Sequence, residues 1–197
     1  MRIILASTSP RRREILELLR VPFEVIAPRF DERISENVPI EDEVLAFALG
    51  KAQSVAADVR SSVVIGSDTM IGLGKVKIGK PKDLADAKKI LCALSGKTHR
   101  IYTAVALIDS GSGSSFNVVE QVLVEMRSFS DKEVDDYLDC GESLDKAGAY
   151  SIQGRGAELI AAIRGDYLAA VGMPLRPISC SRPARRTHAA SAGDRAR

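Results

Sequence analysis

Two carboxylates and four cations stand at breaks in the apolar pattern of this chain. Asp68 closes the β-branched run Val63 to Ile65, and Glu32 lies in Phe30-Asp31-Glu32, a separate polar segment. Two carboxylates completed by phosphate and water oxygens are a usual way to hold Mg²⁺. A carboxylate at a strand end also caps a following turn, so Asp68 alone reads either as a cap or as a metal ligand and base for water. The cations are Arg11, Arg12, Lys51 and Lys80. Lys51 follows Leu49-Gly50 inside a helical pattern, where a glycine is unfavourable and points to a close approach by another segment. Lys80 sits in the stiff turn Ile78-Gly79-Lys80-Pro81, which lacks the glycine run and hydroxyl residue of a Walker loop. Taken singly, each lysine is an ordinary surface residue. Gln153, in Ile152-Gln153-Gly154, has the donor and acceptor needed to read the edge of a base, or is simply a loop glutamine.

The N-terminal segment adds a geometric clue. Ile3 to Ala6 is a short apolar strand, followed by Ser7-Thr8-Ser9-Pro10 and three arginines. Ser9 suits a helix N-cap and Pro10 the first helical turn. Positive charge at a helix N-terminus opposes the helix dipole, so this turn is either a solvated basic face or a place where an anion binds. Together the groups suit metal-assisted attack of water on a polyphosphate. Cys92, Cys140 and Cys180 have only His99 and His188 to help them, with no zinc or disulfide spacing. Covalent thiol catalysis is therefore not expected.

The elements that must position these groups follow from the hydrophobic period. Helices are expected over about Pro10 to Leu19, Glu41 to Val59, Asp83 to Leu94 with an aspartate cap, and from the capping box Ser130-Asp-Lys-Glu133 to near Cys140. Strands are expected at Ile3 to Ala6, Phe23 to Ala27, Ser62 to Gly66 and Glu158 to Ile163. A long antiparallel pair, Arg100 to Ile108 with Phe116 to Met126, flanks the loop Asp109 to Ser115. The mixture predicts an α/β protein with a mixed α+β sheet. At 197 residues, 45% hydrophobic and 27% charged, one domain is expected. Its boundaries are 1–175, with 176–197 a basic, disordered tail holding Arg176, Arg182, Arg185, Arg186, Arg195 and Arg197. The net charge of +2 comes from that tail, and the mildly acidic body argues against a nucleic-acid-binding protein. The N-terminal apolar run is too short for a signal-peptide core and no run is long enough to span a bilayer, so a cytoplasmic protein without membrane association is expected.

The chain resembles the Maf family of nucleoside triphosphate pyrophosphatases over roughly Ile3 to Leu175. The resemblance rests on an ordered series: Leu5-Ala-Ser-x-Ser-Pro-Arg-Arg12, Phe30-Asp-Glu32, Lys51-Ala52, Gly66-Ser-Asp-Thr69, Gly79-Lys-Pro81, Leu94-Ser-Gly-Lys-Thr-His99, Asp145-Lys-Ala-Gly-Ala-Tyr150 and Ile152-Gln-Gly154. It implies an inosine-triphosphatase-like fold with two lobes around a deep cleft, and often a homodimer. It also implies a divalent metal, Mg²⁺ or Mn²⁺, held by Glu32 and Asp68, with Asp68 as the base. Ser7, Arg11, Arg12, Lys51 and Lys80 would bind the triphosphate. Arg11, Thr69 and Gln153 match the specificity positions of members acting on dTTP and UTP, whereas members acting on 7-methyl-GTP carry a tryptophan this chain lacks. The expected reaction is hydrolysis of dTTP and UTP to monophosphate and pyrophosphate, with a house-cleaning role against non-standard nucleotides. The alternative is a nucleotide-binding regulatory module linked to cell-division arrest, without significant turnover. The chain departs from the family at Ala169-Ala170, where many members have asparagine and valine. It also departs after Leu175, where arginine-rich sequence replaces a final helix.

Overall fold

The computed structural model describes residues 2–180, the side chain of Cys180 excepted. Seven strands form one mixed sheet. β1 (Arg2–Ala6) lies between β2 (Glu24–Ile26) and β3 (Ser62–Leu73) and is parallel to both. β3 pairs antiparallel with β5 (Thr98–Asp109), which pairs with β6 (Ser115–Met126), which pairs with β7 (Ile160–Arg164). The short β4 (Val76–Ile78) folds back on β3.

Strand alternation sends successive side chains to opposite faces and so builds two cores. Val64, Met70, Tyr102, Ala104 and Ala106 pack on one face under a single long helix, α2 (Ile40–Ala56). Ile65, Ile71, Ile101 and Val105 pack on the other, against α1 (Pro10–Glu17), α3 (Leu84–Leu94), α4 (Asp131–Leu138) and α5 (Tyr167–Val171). The two halves of the protein are thus the two faces of one sheet.

The expected caps are present. Ser9 accepts from the backbone N–H of Arg12, Asp83 caps α3, and Ser130 with Glu133 closes a capping box on α4. Two expectations need correction. The strand expected to stop at Gly66 runs on to Leu73, because β5 pairs with it continuously from Val63 to Gly72. The first five residues of the tail expected to be disordered are helical. Arg176–Cys180 is a helical turn (α6), closed by Ser179 N–H donating to the Leu175 carbonyl, with Ile178 packed against the core. The rest of that tail, residues 181–197, lies outside the described residues. Among the described residues no helix is long and apolar enough to cross a membrane.

Candidate active site at a gap in the sheet edge

β5 occupies one edge of β3 from residue 63 to 72. On the opposite edge β1 ends at Gly66 and β4 begins at Ile71. Ser67, Asp68, Thr69 and Met70 therefore have no strand neighbour on that side. Asp68 is not at a strand terminus, as its sequence context implies. It reaches an edge because its neighbour strand stops.

On the α2 face, Lys51 Nζ lies 2.5 Å from Asp68 Oδ1 and 2.6 Å from Glu32 Oε1. Lys51 and Asp68 are buried, whereas Glu32 is 52% exposed. Two glycines set this geometry. A Cβ on Gly66 would collide with backbone of α2, lying 2.8 Å from Ala52 N, so only glycine lets the helix bring Lys51 down onto the strand. A Cβ on Gly50 would overlap the Phe30 ring, with Cζ 2.7 Å away. That ring stacks edge-on against Phe47 at 5.6 Å and anchors the segment that delivers Glu32 two residues later. This is the close approach the helical glycine predicts.

On the opposite face, Arg12 reaches over from α1. Its Nε donates to the Gly172 carbonyl at 3.1 Å and its Nη2 to Thr69 Oγ1 at 3.3 Å. Ser67 Oγ donates to the same Gly172 carbonyl at 3.0 Å. Thr103, directly opposite Thr69 across the ladder, lies 3.1 Å from Thr69 Oγ1 and 2.8 Å from the Ala169 carbonyl. Burial lowers the pKa of Arg12, and the charges of Asp68 and Glu32 oppose that shift. Asp68 moves the other way: burial raises it, against the pull of Lys51 and Arg12, so it is a stronger base than a solvated aspartate.

Of the residues singled out in the sequence, Glu32, Lys51, Asp68, Arg12 and Thr69 thus gather around the gap. Ser7 is buried where β1 gives way to α1, its Oγ accepting from Ser9 N–H at 3.2 Å. Asp145 is held below the usual carboxylate range, against its partial burial, by the hydrogen bond and charge of Lys146, and Arg11, beside Arg12, adds a smaller pull in the same direction. Lys80 and Gln153 are exposed on flanking loops and make no side-chain bond to the cluster. The Lys80 loop is tied to the Asp145–Tyr150 segment through Gly148 N–H to the Gly79 carbonyl, 3.1 Å. Sequence reasoning missed Ser67, Thr103 and the carbonyls of Ala169 and Gly172. The only signal was that hydroxyl residues at 67 and 103 interrupt apolar strands.

The fit of a divalent cation can be judged from this donor set. Two carboxylates from separate segments converge on one ammonium, so they already share a cationic position. Among the described residues no group of three or more His, Cys, Asp or Glu side chains forms a closed cage. Two carboxylates with the remaining positions open suit Mg²⁺ or Mn²⁺ bound together with phosphate.

Fold and site define a mixed-sheet α/β protein whose acidic pair and arginine meet at a break in a strand edge. The model for Maf-like proteins matches residues 2–180, and the chain belongs to the Maf family. A Bacillus cytotoxicus relative named dTTP/UTP pyrophosphatase is 45% identical over 174 residues, 88% of this chain and 90% of the relative. Relatives of the same name from Moorella thermoacetica and Clostridioides difficile are 42% identical over 174 residues and 44% over 177. They cover 88% and 89% of this chain and 90% of each relative. The Staphylococcus aureus Ham1 protein superposes with a TM-score of 0.46 at 16% identity, over 81% of this chain and 80% of that one.

Proposed function

We infer that the chain hydrolyses dTTP and UTP between the α- and β-phosphates, releasing the monophosphate and pyrophosphate. The carrying observation is the pair Glu32 and Asp68 on Lys51 at the unpaired edge of β3, with Arg12 beside it. The names of the 42–45% identical relatives support the same substrates.

Glu32 and Asp68 would hold the divalent cation. When bound, that cation neutralises phosphate charge and acidifies water. Asp68 accepts the proton of the attacking water, and its burial-raised pKa matches that task. Asp68 Oδ1 accepts from Lys51, which leaves Oδ2 to take the proton of water. Ser7, the backbone N–H of Arg11 in the first turn of α1, and the side chains of Arg11, Arg12, Lys51 and Lys80 bind the triphosphate and stabilise charge moving onto departing pyrophosphate. Arg12 is already held by Gly172 and Thr69, so little rotamer freedom is lost on binding. Arg11, Thr69 and Gln153 read the base. The substrates are free nucleotides in the cytoplasm, not nucleic acid, and the expected assembly is a homodimer.

Pyrophosphate release is measured from each nucleoside triphosphate with Mg²⁺, with Mn²⁺ and with chelator. Release from dTTP and UTP that chelator abolishes supports the proposal. Binding without product, in any metal, overturns it in favour of a regulatory module.

A further inference from the structure

Thr69 faces the gap in the sheet edge half-buried, and its hydroxyl has already been assigned a direction by its neighbours. The Ala169 carbonyl can only accept, so the 2.8 Å contact from Thr103 Oγ1 uses the single hydroxyl proton of Thr103. The 3.1 Å contact between Thr103 Oγ1 and Thr69 Oγ1 then needs the proton of Thr69. Arg12 Nη2 can only donate, so it takes one lone pair of Thr69 Oγ1. One lone pair remains. Towards a ligand Thr69 is therefore an acceptor and nothing else.

We propose that Thr103 is a specificity-positioning residue: by holding the Thr69 proton inside the sheet, it makes the site select a base that offers an imide N–H. This rests on the pyrimidine triphosphatase activity inferred above and deepens it. Uracil and thymine present an N3–H between two carbonyls, and the carbonyls suit the donors of Arg11 and Gln153. Cytosine in the same register sets a bare N3 lone pair against the Thr69 lone pair. Two facing acceptors with no proton between them repel, and a site built around a missing donor discriminates strongly. Thr103 is itself fully buried and touches no ligand. Its partner carbonyl is fixed by α5, whose cap Asp166 accepts from the N–H groups of Leu168 and Ala169.

The test compares specificity constants for UTP and CTP, from pyrophosphate release, in wild type and in Thr103→Val, Thr103→Ala and Thr103→Ser, with circular dichroism to establish folding. Wild type prefers UTP, and Thr103→Ser keeps that preference within about twofold. Valine and alanine free the Thr69 hydroxyl to turn and donate to cytosine N3, so the UTP/CTP ratio falls about tenfold, chiefly through improved use of CTP. A folded variant without turnover is read instead by its relative affinity for UMP and CMP. An unchanged ratio in folded Thr103→Val or Thr103→Ala overturns the proposal, as does a wild type indifferent to the two bases. So does loss of the preference in Thr103→Ser, or failure of both hydroxyl-free variants to fold. If wild type releases pyrophosphate from no triphosphate at all, it is the underlying activity that fails.

Discussion

Helix α2 contributes to two buried lysine–carboxylate contacts, through Glu43 in its first turn and Lys51 two turns later. Around Glu43 every demand is met. Lys77 Nζ donates to Glu43 Oε2 and to the Ser35 carbonyl, and Ser35 N–H donates to Glu43 Oε1, all at 2.5 Å. One cation faces one anion, and the loop before α2 is strapped to the β3–β4 hairpin. Around Lys51 two carboxylates share one ammonium, one of them half in solvent, and burial raises the pKa of the other. A closed, neutral contact of the first kind stabilises a loop. An open contact in which two carboxylates share one ammonium and keep spare oxygens can take up a further cation and a proton, which a purely structural pair has no use for. The difference is legible in the partner count, since the Lys51–Asp68 and Lys77–Glu43 pairs are themselves both buried.

The sharpest way to break the comparison is to neutralise one anion in each. Asp68→Asn should lower kcat by about 10²–10⁴-fold while leaving the melting temperature unchanged or higher, measured by pyrophosphate release and thermal unfolding. A variant that keeps near-full rate removes Asp68 from the chemistry. Glu43→Leu should do the reverse. It strands Lys77 and destabilises by about 3 kcal/mol in urea unfolding, with turnover of the folded fraction within a few-fold of wild type.

Acid titration separates the same two properties. His99, on the other face of the sheet, bonds Tyr150 Oη through Nε2 at 2.7 Å, while its Nδ1 is buried without a partner. Burial lowers its pKa to about 4. The unfolded chain, with histidine near 6.5, then binds more protons than the folded one between those values. Stability is therefore full above about pH 6.5 and declines as pH falls towards 4, by about 3 kcal/mol. Turnover is expected to show its own acid limb, set by Asp68 and lying above the ordinary aspartate value because burial raises that carboxyl. His99→Gln should flatten the melting curve against pH and leave that limb in place. If both move together, the two losses share a cause. The smallest effect is expected from Gly50→Ala. Its methyl displaces the Phe30 ring and with it Glu32, so the Mg²⁺ concentration for half-maximal rate should rise about tenfold with kcat little changed.

Much of the fold could be read from local chemistry. Ser9-Pro10, Asp83 and Ser130/Glu133 mark helix starts by hydrogen bonds made within one turn, so a local pattern suffices. The β5–β6 pair is equally plain from its two long apolar runs. The continuation of β3 was hidden because Ser67, Asp68 and Thr69 look like a loop by composition. Pairing with β5, thirty-odd residues away, keeps them extended. The same holds for the site. Glu32, Lys51 and Asp68 stand out as charges amid apolar sequence, and Gly50 announces its neighbour. Thr103 is marked only as a hydroxyl in an apolar strand and the Gly172 carbonyl not at all, because their roles exist only across strands or across the chain.

Arg12 and the Gly172 carbonyl that steadies it are separated by 160 positions. A chain emerging from the ribosome presents α1 and β3 long before α5 exists. Until its last fifth appears, Arg12 has no anchor, and the Ser67 hydroxyl and Thr103 face solvent or transient partners. Competence for the reaction therefore arrives late in synthesis, and a prematurely terminated product would keep most of the sheet yet lack the fastening that makes its N-terminal arginine useful.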